Sequence, residues 1–235
     1  MNKIYIFDRP KDISVSPIEV VGNVFVTKAD EFIRALVHCA MHVPDSGGFS
    51  SVDVKVDTYG NGVATGFNPY SICTGTFDTS KIAVDINFSL TPDVIKAIEN
   101  TFLETEMLFV TVGNNMIRLV GDTKELYALR GVGIASVAIK PHKPYIVAVF
   151  EPQYFVGNNM ERFLFASESV QVGDNPPVPA DIKPGGTADF TIDGSCYNQL
   201  AALKSILIVG LEGEMAWLSC KNIDIKLGTQ GREIL

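Results

Sequence analysis

Tryptophan occurs once, histidine three times and cysteine four times in this chain of 235 residues, and each scarcity narrows what the chain can do. Cys39, Cys73, Cys196 and Cys220 stand far apart and form no Cys-x-x-Cys pair, which argues against a zinc site and a disulfide framework. They read as reduced, mostly buried thiols of a cytoplasmic protein. No run of about 18 apolar residues is present, and the longest, such as Ile206-Leu207-Ile208-Val209, are strand-sized, so no membrane span is expected. Met1 to Ile6 alternates polar and apolar residues and runs at once into Asp8-Arg9-Pro10-Lys11-Asp12, which is not a signal peptide's apolar segment. Basic residues are also short: 19 Lys and Arg face 27 Asp and Glu, a formal charge of −8. Such a balance opposes indiscriminate adhesion to nucleic acid or acidic membrane and leaves room for a local basic surface.

The chemistry-bearing motifs are missing as well. There is no Gly-x-Ser-x-Gly elbow, no Walker loop and no dinucleotide fingerprint, and Gly131-Val132-Gly133 lacks the later glycine and the strand-to-helix setting that would cradle phosphate. His38 and His42 lie one helical turn apart, a spacing that suits a metal, yet no Glu of a His-Glu-x-x-His motif and no third ligand accompany them. His142 reads as a solvent-facing residue of a basic connector. Glu104 with Glu106, and Asp53 with Asp57, fall on turns or strand faces. No catalytic residue, metal or cofactor is therefore expected. An enzyme would need a deep pocket around His38, His42 or the Asp53 to Asp57 strand.

What the chain does have is a globular composition, 46% hydrophobic and 20% charged, and a repeated unit. Val84 to Gly131 and Ala188 to Gly231 share an order of strand, capped helix and meander. In the first copy Val84 to Phe88 leads to Thr91-Pro92-Asp93, a helical run to Phe102, then Leu108 to Met116 and Ile117 to Val120. In the second, Ala188 to Ile192 leads to Asp193-Gly194-Ser195, a helical run Cys196 to Lys204, then Leu207 to Met215 and Ala216 to Ser219. Leu108 takes the place of Leu207, and Met116 that of Met215.

Ahead of the first copy, Ile4 to Phe7 and Val20 to Val26 read as strands. Thr27 stands as a helix cap with Asp30 three residues on, and Ile33, Leu36, Val37 and Ala40 recur at helical spacing. Glu31, Arg34, His38 and His42 lie on the opposite, exposed stripe. Val52, Val54 and Val56 alternate with Asp53, Lys55 and Asp57 as a half-buried strand, Gly60-Asn61-Gly62 turns the chain, and Val63 to Phe67 returns. Ser71 to Phe77 and Lys81 to Phe88 continue the sheet. Past a connector from Gly131 to Pro144, Tyr145 to Phe150 reads as a strand and Met160 to Ala166 is ambiguous, a short helix or none. Gly173 to Gly186, with Pro176, Pro177, Pro179 and Pro184, reads as a long irregular loop.

The unit from Val24 to Pro141 resembles one domain of the bacterial DNA polymerase III beta subunit, the sliding clamp family. The first helix, Ala29 to Met41, is followed by strands ending in Val63-Ala64-Thr65-Gly66-Phe67, where the family has a Val-Ala-Thr-Asp-Gly-like turn. The second helix, Pro92 to Phe102, is followed by Val110-Thr111-Val112-Gly113-Asn114-Asn115-Met116-Ile117-Arg118, with a Gly-Asn-Asn-like turn and an Ile-Arg strand. The resemblance implies an α+β chain of two tandem clamp-like domains, residues 1–135 and 136–235. Each would have antiparallel sheets with two helices on one face, the second domain being reduced in its first half. It further implies a non-catalytic, cytoplasmic processivity factor from a phage or mobile element, a homotrimer whose ring encircles double-stranded DNA and tethers a polymerase.

By the same resemblance, a pocket between domains takes short hydrophobic peptides. Thr65 carries over directly, and Phe67, Pro69, Tyr70 and Ile72 would make an apolar groove of different shape. Lys28, Arg34, Lys96, Arg162 and Lys204 are the candidates to meet DNA phosphates from the ring's lining. Lys124 to Leu129, or Asn222 to Leu227, would supply edge strands for pairing between subunits. The alternative is an oligomeric structural or interaction protein, such as a phage assembly component, using the same fold without encircling DNA.

Overall fold

The structure, a computed structural model, describes residues 3–9, 18–44, 50–133 and 144–232. Gly47, Gly48 and the connector that carries His142 lie outside the described residues. The chain divides into two compact units, residues 1–66 with 74–137 and residues 67–73 with 138–235.

In the first unit β1 (Ile4–Asp8), β2 (Gly22–Lys28), β7 (Met107–Gly113), β8 (Met116–Val120) and β9 (Lys124–Leu129) form an antiparallel sheet in the order β1-β9-β8-β7-β2. β3 (Val52–Val56), β4 (Asn61–Asn68), β5 (Ser71–Asp78) and β6 (Ile86–Leu90) form a second, ordered β5-β4-β3-β6, whose β4–β5 hairpin tip, residues 67–73, belongs to the second unit. The two are joined where Thr27 bridges Thr79 and the Ser80 N–H donates to the Val26 carbonyl at 2.7 Å. α1 (Ala29–Ala40) and α2 (Pro92–Thr101) pack on one another. α1 turns Phe32, Ile33, Leu36 and Cys39 inward because three- and four-residue steps share one helix face. Phe32 meets Phe25 and Phe77 edge-on, with ring centroids 6.1 and 5.0 Å apart, and Phe88 stacks on Phe25. Each such buried ring adds roughly 2–3 kcal/mol of apolar transfer.

Gly66, in the Val-Ala-Thr-Gly segment, is required by this packing. A Cβ there would stand 1.9 Å from the Cys39 carbonyl oxygen, so α1 lies directly on the β4 backbone. Thr27 does not cap α1. Lys28 holds the N-cap position, and the Thr27 hydroxyl donates instead to the Asp78 carbonyl at 2.7 Å, tying β2 to β5. Pro92 does open α2, behind Thr91. The strand expected from Lys81 begins only at Ile86.

In the second unit β10 (Ile146–Phe150), β15 (Leu207–Glu212), β16 (Met215–Cys220) and β17 (Ile223–Gly228) repeat β2, β7, β8 and β9. β11 (Met160–Ala166), β12 (Ser169–Val172), β13 (Val178–Lys183) and β14 (Thr187–Asp193) repeat β3 to β6 in the same order, β14-β11-β12-β13. α3 (Gly194–Ala201) stands for α2, and its N-cap Asp193 accepts the Ser195 N–H at 2.8 Å. Phe163, Phe165, Phe190 and Tyr197 make the corresponding aromatic core.

Two sequence expectations change here. Met160 to Ala166 is a strand, because Phe163 and Phe165 alternate into the core with Arg162, Leu164 and Ala166 on the other face. The proline-rich stretch is not all loop, since Val178–Lys183 pairs with β10 from Ala180 onward. Pro179 precedes that ladder, so no N–H is asked of it there. The counterpart of α1 is absent: residues 151–159 form no regular element, and Pro152, Gly157, Asn158 and Asn159 disfavour a helix. Asn198 of α3 holds this stretch instead, accepting the Val156 N–H at 2.9 Å and donating to its carbonyl at 2.7 Å.

Candidate functional site

Four segments of the second unit converge on a cavity of about 260 Å³. Asn68, Tyr70 and Ser71, from the tip of the β4–β5 hairpin, line one side. Met160 at the start of β11, Asp193 and Cys196 at the start of α3, and Leu227, Gly228, Gly231 and Arg232 after β17 line the rest. The hairpin tip is held by its own asparagine, whose Oδ1 accepts the N–H groups of Tyr70 and Ser71 at 2.8 and 2.9 Å. Its backbone is also tied to the far wall, where the Gly228 N–H donates to the Tyr70 carbonyl at 3.3 Å.

The C-terminal wall is shaped by a sharp reversal. Gln230 and Gly231 both have positive φ, 57° and 70°. The Thr229 hydroxyl and N–H both donate to the Glu214 carbonyl at 2.8 Å, and Arg232 pairs with the Glu214 carboxylate. A Cβ on Gly228 would stand 2.0 Å from the Arg232 carbonyl oxygen, so the reversal closes only over glycine. Leu227 and Cys196 are buried floor residues, whereas Tyr70 and Met160 stand exposed at the rim. Burial, and then the neighbouring Asp193, push the Cys196 thiol up to about 12, so it lines the cavity as an apolar group and is no nucleophile near neutral pH.

Of the five residues expected to form a peptide groove, only Tyr70 lines this cavity. Thr65 and Ile72 are buried, and Phe67 and Pro69 lie half-buried and exposed on the same hairpin. The cavity's far wall, from Met160 to Arg232, was not anticipated. Its segments are far apart in sequence and carry no shared motif.

Of the basic candidates, Arg34 and Lys96 lie on helices, Lys28 and Lys204 flank helices, and Arg162 lies on a strand. Lys28 precedes α1 and pairs with Glu31 at 3.0 Å, and Arg34 on α1 lies 3.9 Å from Asp30. Arg162 is on strand β11, bound bidentately to Asp189 at 2.8 and 2.5 Å. Lys96 on α2 and Lys204 after α3 are exposed. His38 and His42 do not occupy an exposed stripe. Both are buried, and burial, followed by Arg34 and His42, holds His38 down at about 4. Among the described residues no group of three or more His, Cys, Asp or Glu is placed to hold a metal. No helix among them is long and apolar enough to cross a membrane.

No protein-family model and no curated protein matches the sequence. Solved structures do match. The DNA polymerase III subunit beta of Pseudomonas aeruginosa superposes with a TM-score of 0.74 over 93% of this chain and 69% of its own, at 9% identity. The chain has the sliding-clamp fold. The beta subunit of Thermotoga maritima gives 0.74 over 91% of this chain and 66% of its own at 10% identity. The Helicobacter pylori beta clamp, solved with a DNA ligase peptide bound, gives 0.73 over 93% and 68% at 7% identity. The clamp-fold chain thus spans about two-thirds of the length of these proteins.

Proposed function

We propose that this chain is a non-catalytic sliding clamp, in which three copies close a ring around duplex DNA and the cavity of the second unit holds an apolar peptide segment of a polymerase or another protein working on DNA. The observation that carries the reading is the cavity itself. It sits on a clamp fold, has a buried floor of Leu227 and Cys196, and offers exposed Tyr70 and Met160 at its rim. Such a site takes one or two side chains of an extended segment and contains no reactive group. A clamp of related fold, from Helicobacter pylori, has been solved with a DNA ligase peptide. The trimer is what the resemblance implies for a chain of two repeat units.

A second reading, an oligomeric interaction protein that does not encircle DNA, is favoured by the ion pairs. Lys28, Arg34 and Arg162 each face a carboxylate that a phosphate would have to displace. Binding carried by Lys96 and Lys204 alone would be weak per chain and would depend on multiplication around a ring.

Fluorescence anisotropy with a labelled short apolar peptide tests the cavity. Tyr70→Glu and Met160→Glu place charges at its exposed rim without disturbing the core. Micromolar binding by the wild type that weakens at least about tenfold in either variant, the size of one rim contact of ~1.4 kcal/mol, is the expected outcome. Equal binding by all three proteins would remove the cavity from the proposal.

A further inference from the structure

The outer edge of β9 is already occupied, and by the chain's own N-terminus. β1 pairs along it from Ile4 opposite Ala128 to Asp8 opposite Lys124. β9 therefore lies between β1 and β8, and the sequence expectation that it is an edge strand does not hold. The C-terminal candidate for an edge is taken as well. β17 lies between β16 and the first residues of β5, with the Gly228 N–H on the Tyr70 carbonyl.

The internal repeat gives this a meaning. β9 and β17 are the same strand of the repeat, with Met116 facing Leu129 as Met215 faces Gly228. β17 receives a hairpin tip, Asn68-Pro69-Tyr70, between β4 and β5, the last two strands of a β6-β3-β4-β5 sheet. The second unit carries the equivalent hairpin between β12 and β13, and its tip reads Asn175-Pro176-Pro177. The contact at β17 uses the carbonyl of the residue after Pro69, and the residue after Pro176 is Pro177, which keeps a carbonyl acceptor although it has no N–H. Among the described residues of one chain, β9 meets no hairpin of this kind and has β1 in its place.

β1 is held unevenly. At one end Phe7 packs edge-on against Tyr127 at 5.7 Å, Asp8 pairs with Lys124, and the Arg9 N–H donates to the Thr123 carbonyl at 2.8 Å. At the other, Tyr5 and Ile6 remain 41% and 49% exposed, and Leu129, the counterpart of Gly228, lies beyond Ile4 at 43%. Little apolar burial opposes peeling from that end.

We propose that β1 is an exchangeable strap: in the single chain it covers the edge of β9, and on assembly it yields that edge to the Asn175–Pro177 hairpin tip of a second copy. This rests on the ring reading above and adds the surface and the step by which the ring closes. An intramolecular strand competes at high effective concentration, so the strap keeps the edge from pairing with other partners at low protein concentration.

Two variants test it by sedimentation velocity across the micromolar range. Ile4→Cys with Ala128→Cys places cysteines at directly opposed positions, so oxidation staples β1 to β9. The oxidised form is expected to stay monomeric where the same protein, reduced, assembles like the wild type. Deletion of residues 1–9 is expected to lower the assembly midpoint at least about tenfold, corresponding to ~1.4 kcal/mol of strap pairing removed. Equal assembly of oxidised and reduced forms overturns the strap and leaves the ring standing, as does a deletion that assembles less readily than the wild type. If no form assembles at all, with or without duplex DNA, the ring reading falls and the strap with it.

Discussion

Replacing Asn198 by alanine removes two hydrogen bonds that stand where a helix is missing. In the first unit the step from β2 to β3 is made by α1, whose apolar stripe anchors it; in the second, residues 151–159 have no such stripe. Besides the Gly194 N–H on the Asn159 carbonyl at 2.9 Å, they are attached through the Asn198 side chain, which treats Val156 as a neighbouring strand would, accepting from its N–H at 2.9 Å and donating to its carbonyl at 2.7 Å. A further, longer contact reaches Asn158 at 3.4 Å. Each of the two short bonds is worth about 1 kcal/mol net, and both are only part-buried, so Asn198→Ala is expected to cost about 2 kcal/mol. For a chain of this size that corresponds to a melting shift of roughly 4–8 °C. Asn198→Asp should be worse, about 3 kcal/mol, because it keeps the acceptor and turns a carboxylate oxygen on the Val156 carbonyl. Thermal unfolding gives the magnitude, and amide exchange at Val156 shows whether the loss is local. Because Met160 follows directly and lines the cavity, peptide binding should weaken in the same variants. A change below about 0.5 kcal/mol with unaltered Val156 exchange would refute the reasoning.

Two further outcomes are expected. Gly66→Ala drives a Cβ to within 1.9 Å of the Cys39 carbonyl, so α1 must shift off β4; a loss of about 1–3 kcal/mol in urea unfolding is expected, and wild-type stability would contradict the close approach. His38, held at about 4 by burial and by Arg34 and His42, lies below the ordinary value of 6.5. Its contribution to stability is thus complete above about 6.5 and is lost as pH falls toward 4, because the unfolded chain takes up the proton first. An NMR titration of the His38 ring in the folded protein should show a midpoint near 4, and one near 6.5 would contradict its burial.

Much of the fold was legible from local pattern. Val52, Val54 and Val56 announce β3 by period two, Ile33 and Leu36 announce α1 by helical spacing, and Pro92 marks the start of α2. The repeated helix and meander were visible because their turns and apolar residues recur at equal intervals. Where the pattern was short or contradicted by breakers, it failed. Met160 to Ala166 is long enough for either element, and only the inward alternation of Phe163 and Phe165 decides it. Pro179 argued against a strand, yet it stands just outside the β10 ladder. Non-local contacts were not legible at all. The pairing of Ile4 with Ala128 joins residues at opposite ends of the first unit, and the cavity collects residues near 70, 160, 195 and 230. His38 and His42, placed on the polar stripe by helical spacing, are covered by neighbours that a helical wheel does not contain.

The central claim is that copies of this chain encircle duplex DNA, and topology tests it most directly. Protein assembled in the presence of a closed circular duplex should remain bound through a high-salt wash, because a ring is held by linkage and not by phosphate contacts, which salt weakens steeply. Cutting the circle once should then release it, and the released protein should have three times the 25.5 kDa mass of one chain. Equal retention on circular and linear duplex, or loss of all bound protein in the wash before cutting, would contradict the account.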